Sequence, residues 1–332
     1  MIIWTGLLFL LEFYAYQAFK TICTEKWQRI SYWIFTIIPY LLVVYLFLNL
    51  NRSETNSLKI NIIATLFLAF FLPKILVVLF LLIEDIIRLF SFIFSYFTTQ
   101  EQHYPSRRKF VNIIGLGTAS TLALLFLDGV FFGKFRHQVR RVKLTLQNLP
   151  KSFKGYKIIQ ISDVHAGSFQ DPTKLQHAID LINDQKPDLV LFTGDMVNNL
   201  SSEFIPFIPL FSQIQAKDGK LAVLGNHDYG SYFYKDPKDQ VRNVDELIVN
   251  MKKAGFETLR NENRTINRNG EQLYIIGVEN WGLPPFPQYG DLDKATKGLP
   301  TNTTKILMSH DPTHFDEIVK KHPSNIQLTL SG

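Results

Sequence analysis

Two hydrophobic patterns divide this chain. As far as Phe132 the apolar residues run in long, nearly uninterrupted blocks; beyond Val139 they come in short runs separated by amphipathic stretches. A bilayer core takes about 20 apolar residues as helix. Ile30–Asn51 and Phe110–Leu127 contain no charged residue, Ile60–Ile83 is interrupted only by Lys74 beside Pro73, and Ile2–Phe19 only by Glu12. The pattern predicts four transmembrane helices, over residues 2–19, 31–50, 60–83 and 110–132. No Lys or Arg precedes Ile2–Leu11 and no small-residue cleavage site follows, so the start reads as a span and not as a cleaved leader. Glu12 would be costly in hydrocarbon without a partner. Ile86–Phe97 is apolar but follows Glu84 and Asp85 and holds Arg88, which predicts an interfacial helix over 86–97.

Residues 134–150 predict a basic juxtamembrane linker and a first strand, and residues 151–332 a separate domain. Strands are expected over Tyr156–Ile161, Asp188–Phe192, Lys220–Leu224, Leu273–Val278 (after an Asn269-Gly270 turn), Lys305–Met308 and Ile326–Leu330. Helices are expected over Thr173–Asp184, Val244–Ala254 and Thr313–Lys320. Strand–helix alternation of this kind argues for α/β layers. Trp281–Pro287, with three prolines, is expected to be an extended loop.

Composition sharpens the division. Only 19% of residues are charged, against 46% hydrophobic, and average domains carry about 25% charged residues. The deficit lies in residues 1–133, with 10 Lys/Arg and 7 Asp/Glu; each part nets +3 of the total +6. A purely soluble, disordered or disulfide-framed protein is excluded, and Cys23, the only cysteine, leaves the redox compartment open. The small, spread basic excess points to membrane lipids as partner and not to nucleic acid. Lys20, Lys26 and Arg29 in the first loop and Arg88, Arg107, Arg108 and Lys109 in the third outnumber Arg52 and Lys59 in the second. That bias places both termini, and the soluble domain, on the extracytoplasmic side of a multi-pass membrane protein. Lys134, Arg136, Arg140, Arg141 and Lys143 work against it, and suit anionic headgroups.

The candidate chemistry lies just past the strands. Ile158–Ile161 runs into Asp163 and His165, Leu189–Phe192 into Gly194-Asp195, Leu221–Leu224 into Gly225-Asn226-His227-Asp228, and Lys305–Met308 into His310. Ligand sites of open α/β sheets form at the carboxyl ends of strands. Carboxylates, imidazoles and an amide make a mixed donor set that suits Mn, Fe or Zn better than Ca or a thiolate-bound metal. Any one motif arises by chance or as a turn; the order and position of all of them together do not. His103, His137, His177, His314 and His322 are assigned no role.

In that order and spacing, 32 residues from Asp163 to Asp195 and 31 on to Asn226, the chain resembles the calcineurin-like metallophosphoesterase family over roughly Val139–Gly332. Its helical part looks like the membrane-anchored branch, on hydropathy alone. The resemblance implies a layered αββα sandwich and two divalent ions. Asp163 and His165 would ligate the first ion, Asn226 and His310 the second, and Asp195 would bridge them. His227 would stand by the substrate phosphate, with Asp228 orienting its ring. Two ions about 3.5–4 Å apart activate water and clamp phosphate, with no covalent protein intermediate. The implied activity is hydrolysis of a phosphate ester or pyrophosphate, with a lipid-linked substrate suggested by the tether. Members of that branch are associated with cleaving UDP-diacylglucosamine in lipid A assembly.

One departure matters. The family's last motif is Gly-His-x-His, and Gly332 aligns with its glycine, so the chain is expected to be truncated just before two further ligands and to be inactive as it stands. That keeps a second reading, a receptor or scaffold built on a degenerate phosphoesterase domain. A transporter lacks support, because Glu12, Lys74 and, near the end of the last span, Asp128 are the only charged residues in the predicted spans.

Overall fold

A computed structural model describes residues 2–50, 57–97, 105–146 and 148–332. It divides into two compact units, Met1–Arg136 and His137–Gly332. The charge at Arg52 and the ring of His103 lie outside the described residues.

The first unit is helical: α1 (Ile2–Ile22), α2 (Lys26–Leu48), α3 (Ser57–Leu66), α4 (Leu72–Phe97) and α5 (Pro105–Phe131). Among the described residues, three helical stretches are long and apolar enough to cross a membrane: Lys26–Leu48, Leu58–Phe97 and Arg107–Phe135. The expected span over 2–19 falls in α1, where the side chains of residues 2–5 are outside the described set. A π-helical turn, Phe67–Phe71, joins α3 to α4 just before Pro73. Proline has no N–H to give the preceding turn, and a widened turn absorbs the mismatch.

Glu12 has the partner that hydrocarbon demands. Only 4% exposed, it accepts from Lys74 Nζ at 2.7 Å, Tyr40 Oη at 2.9 Å and Tyr32 Oη at 3.2 Å. The expected separate helix over 86–97 is corrected: these residues continue α4 without a break. Glu84 and Asp85 do not stop the helix because both are partnered. Glu84 pairs with Arg88 one turn on at 3.2 Å and with Arg107 at 3.7 Å, and Tyr14 donates to Asp85.

The second unit holds two four-stranded sheets. The first, β1 (Ile158–Ile161), β2 (Leu189–Phe192), β3 (Lys220–Ala222) and β4 (Phe256–Thr258), is parallel and ordered as numbered. The second comprises β5 (Glu262–Arg268), β6 (Glu271–Gly277), β7 (Lys305–Met308) and β8 (Leu328–Leu330). β5 and β6 form a hairpin through Asn269-Gly270, both at positive φ, and β6, β7 and β8 are parallel. Leu189, Leu191, Leu221 and Val223 from one sheet share a buried cluster with Leu273, Ile275, Ile306 and Met308 from the other, so the sheets pack face to face. The helices α6 (Gln176–Asp184), α7 (Ile208–Phe211), α8 (Pro237–Lys253), α9 (Leu292–Thr296) and α10 (Thr313–Glu317) complete the layers. Ile276, Val278 and Leu307 on the outer face of the second sheet meet Leu292 and Ala295 of α9. The architecture is a membrane-type helical unit followed by an α/β sandwich, as the chain pattern predicts.

The expected strand within 134–150 is corrected: no strand forms among the described residues there. Val142 and Leu144 are 79% and 53% exposed, and a strand needs a face to bury. Two strands escape the pattern. β4 is only three residues long, and β5 is a polar sheet edge in which Ile266 alone is buried.

Candidate metal centre

Four loops at the carboxyl ends of β1, β2, β3 and β7 meet in an open cleft of about 410 Å³, lined by Asp163, His165, Asp195, Asn226, His227 and His310 among others. The loops are strapped together through the main chain. Asp163 N–H donates to the Gly194 carbonyl and His165 N–H to the Asp195 carbonyl, each at 3.0 Å. Asp163, His165 and Asp195 all adopt left-handed backbone conformations, which are uncommon outside glycine and concentrate at functional sites. Gly194, at φ +105°, has no room for a side chain: a Cβ there would lie 2.7 Å from both Gly225 N and His310 Nδ1. A Cβ at Gly225 would collide with the Asp195 carboxylate.

Asp195 is the hub. Its side chain is buried, with Oδ2 3.5 Å from His165 Nε2 and 3.4 Å from His310 Nε2, while Oδ1 accepts the His227 N–H at 2.9 Å. Two donor groups share it: His165, Asp195 and His227, and Asp163, Asp195 and His310, each gathered within 4.8 Å. Asp163, expected beside His165, is 3.9 Å from its Nε2 and groups with His310. His227, expected to stand clear of the metal, groups with His165.

The donor chemistry fits a cation. The Thr193 carbonyl lies 2.8 Å from His310 Nδ1, which places the proton of a neutral ring there. Nε2 then turns a lone pair toward Asp195 Oδ2 and toward Asn226 Oδ1 at 3.2 Å, and Asn226 is oriented by donating Nδ2 to Tyr232 Oη at 2.9 Å. Converging lone pairs need a positive charge between them, which a proton on Nε2 or a metal ion supplies. Burial opposes that proton, but the hydrogen bond and charge of Asp195, with the Thr193 carbonyl, push the His310 pKa up to about 9. Burial also works against the Asp195 carboxylate, yet His310 and the His227 N–H hold its pKa below the ordinary value. Asp163, Asp195, His165, His310 and Asn226 would hold divalent ions here.

Asp228 does something other than orient a ring. Fully buried, it accepts four main-chain N–H groups: Asp195 and Gly225 on Oδ2, both at 2.9 Å, and Met196 and Val197 on Oδ1 at 2.8 and 3.2 Å. The expected contact with His227 is corrected, since a carboxylate committed to four donors has none left for the ring. Burial and then the charge of Asp195 raise the Asp228 pKa to about 7. The His227 ring is held instead by the Asn198 carbonyl, 2.6 Å from Nδ1, which leaves Nε2 facing the cleft chemistry. Glu203 fixes that carbonyl in turn, accepting the N–H of Asn198 at 2.6 Å and of Asn199 at 3.2 Å.

Thr193, Asn198 and Tyr232 are absent from the sequence reading. The first two act through main-chain carbonyls, which carry no side-chain signature. Glu203, three residues past Leu200, has the spacing of a capping acid and was legible only as that. His314 is buried against Ser309 Oγ at 2.8 Å and against the Trp281 ring, apart from both donor groups. Gly332 lines the cleft and donates its N–H to the His310 carbonyl at 2.8 Å.

Comparison with known proteins agrees with the geometry. Residues 156–330 match the family described as calcineurin-like phosphoesterase, and residues 1–134 that described as "Probable Calcineurin-like phosphoesterase, transmembrane domain". Bacillus subtilis YkuE, an uncharacterized metallophosphoesterase, is 29% identical over 234 residues, covering 68% of this chain and 76% of that protein. The Danio rerio transmembrane protein with metallophosphoesterase domain is 26% identical over 216 residues, 63% of this chain but 47% of its relative. UDP-2,3-diacylglucosamine pyrophosphatase LpxG of Chlamydia trachomatis is 29% identical over 155 residues, 45% of this chain and 47% of that one.

Proposed function

The chain belongs to the calcineurin-like phosphoesterase family, and on that premise we propose that it is a membrane-anchored phosphohydrolase in which Asp195 is shared by two divalent ions of Mn, Fe or Zn. The observation that carries this is the pair of donor groups meeting on one buried carboxylate. When bound, such ions supply Lewis acidity, neutralising phosphate charge and acidifying water. The chain's own residues do the rest. Asp163, His165, Asn226 and His310 hold the donor geometry. His227, with Nδ1 anchored on Asn198, presents Nε2 to a substrate oxygen, where it stabilises charge or hands a proton to the leaving group. Asp228 fixes the loops that place them.

The substrate class we favour is a lipid-linked pyrophosphate. Its support is the membrane unit in the same chain and the likeness to the Chlamydia trachomatis pyrophosphatase. The test is hydrolysis, by the chain extended with the family's final Gly-His-x-His motif, in neutral detergent with Mn²⁺, of a phosphomonoester, a phosphodiester and UDP-2,3-diacylglucosamine. The lipid pyrophosphate should be cleaved fastest. Preference for a soluble ester would overturn the substrate class, and metal-independent or absent hydrolysis of all three would overturn the catalytic reading. The Lys/Arg distribution in the loops favours a soluble domain outside the cytoplasm; a reporter fused after Lys151 that reads as cytoplasmic would reverse that assignment.

A further inference from the structure

The other end of the soluble unit carries a second site. At the amino ends of β1, β2 and β3, opposite the metal centre, a cleft of about 460 Å³ is lined by Lys154, Lys157, Lys186, Lys217 and Arg268. Those cations come from separate places: the approach to β1, the turns before β2 and β3, and the tip of the β5–β6 hairpin. A single carboxylate, Asp188, lies among them.

Asp188 is already spent. Its side chain is 7% exposed; it accepts the Lys157 N–H at 2.8 Å and pairs with Lys217 Nζ at 3.1 Å and Arg268 Nη2 at 3.4 Å. The two nearby acids are also engaged, Glu271 by Ser152 N and Oγ and Asp218 by Tyr156 Oη. Arg268 lies over Tyr156, its guanidinium carbon 5.5 Å from the ring centre, and pairs with Asp188. Such bracing orders a planar fork suited to oxyanions. Among the described residues, Lys154 and Lys186 have no side-chain partner, and Lys186 takes a left-handed backbone conformation. Five cations converging on one concave surface repel one another, and a bound polyanion relieves that repulsion.

Arg141 donates to Gln185 Oε1 at 2.8 Å, and the Gln185 carbonyl accepts Lys157 Nζ at 3.2 Å. Gln185 thus links Arg141 to Lys157 of the cleft wall.

We propose that this cleft binds a phosphate-bearing anion at a site separate from the metal centre, with Lys154, Lys157, Lys186, Lys217 and Arg268 as its cationic wall. The size suits a single phosphorylated group such as a headgroup or a free pyrophosphate, since small-ligand pockets run from about 300 to 1,000 Å³. Both sources share one chemistry, and the test separates them.

The full chain is placed in nanodiscs of phosphatidylcholine, and lysine acetylation rates are read by mass spectrometry at residues 154, 157, 186 and 217, with exposed Lys238 and Lys297 as controls. Inorganic pyrophosphate at ten times its Kd should slow labelling of the four about tenfold, by mass action, and leave the controls unchanged. If pyrophosphate does nothing but phosphatidylglycerol in the disc protects the same four, the anion is a lipid headgroup. In a Lys154→Gln/Lys186→Gln variant the protection of Lys157 and Lys217 should be lost under either condition. No protection by either probe, or protection that survives the double substitution, overturns the proposal.

Discussion

The carboxylate of Asp228 carries the backbone of Asp195: its Oδ2 accepts the Asp195 N–H at 2.9 Å, while the Asp195 side chain turns away toward His165 and His310. One acid shapes the loop and the next offers its charge to the cleft. Because Asp228 satisfies four buried donors, Asp228→Ala leaves them without an acceptor, at about 1–3 kcal/mol for each donor that finds no other. We expect that variant to lose more than about 3 kcal/mol, and Asp228→Asn, which keeps one acceptor oxygen, to lose less. Hydrogen exchange at Asp195, Met196, Val197 and Gly225 measures it; protection unchanged in the Ala variant would refute the role.

His227→Ala tests the division of labour at the centre. If the ring serves the substrate and not the ions, turnover should drop by about 10²–10⁴ while metal content stays as in the parent chain. Metal lost in step with activity would make His227 a ligand, as its grouping with His165 and Asp195 allows.

Much of this site was legible in the sequence because its donors are side chains placed directly after strands: Asp163, His165, Asp195, Asn226 and His310 all stand within five residues of a recognisable apolar run. What was hidden is what holds them. The Thr193 and Asn198 carbonyls that orient two histidines are main-chain groups, and the commitment of Asp228 to four N–H groups exists only once the loops are folded. In the helical unit the apolar pattern marked the long helices. It could not show that Glu84 is neutralised by Arg88 and Arg107, and so it broke α4 where the helix continues.

Lys74 and Glu12 should be energetically coupled. Lys74→Met strands a buried carboxylate and is expected to cost about 3–5 kcal/mol, whereas Glu12→Gln/Lys74→Met removes both charges and should recover most of it. Thermal unfolding in detergent, as a double-substitution cycle, reads the coupling; additive losses would mean that the ion pair is incidental.

His314 sets a pH dependence. Burial, only partly offset by Asp311, lowers its pKa to about 4, well under the unfolded value of about 6.5. The unfolded chain therefore binds the proton first. His314 contributes its full stability above pH 6.5 and loses it as pH falls from 6.5 to 4, by about 3 kcal/mol in all. Stability of the soluble unit, followed by hydrogen exchange between pH 7 and 5, should decline less steeply in His314→Gln. Identical slopes would remove His314 as the cause.

The central claim is that one buried carboxylate serves both donor groups, and the measurement that bears on it most directly is the number of divalent ions held per folded chain by the parent and by Asp195→Asn. Asparagine keeps the shape and can still accept the His227 N–H, so the fold should survive, which circular dichroism checks. After Mn²⁺ loading and buffer exchange in detergent, elemental analysis of the variant should find neither ion retained. A folded Asp195→Asn chain that keeps either ion at the parent's affinity would contradict the shared role of Asp195.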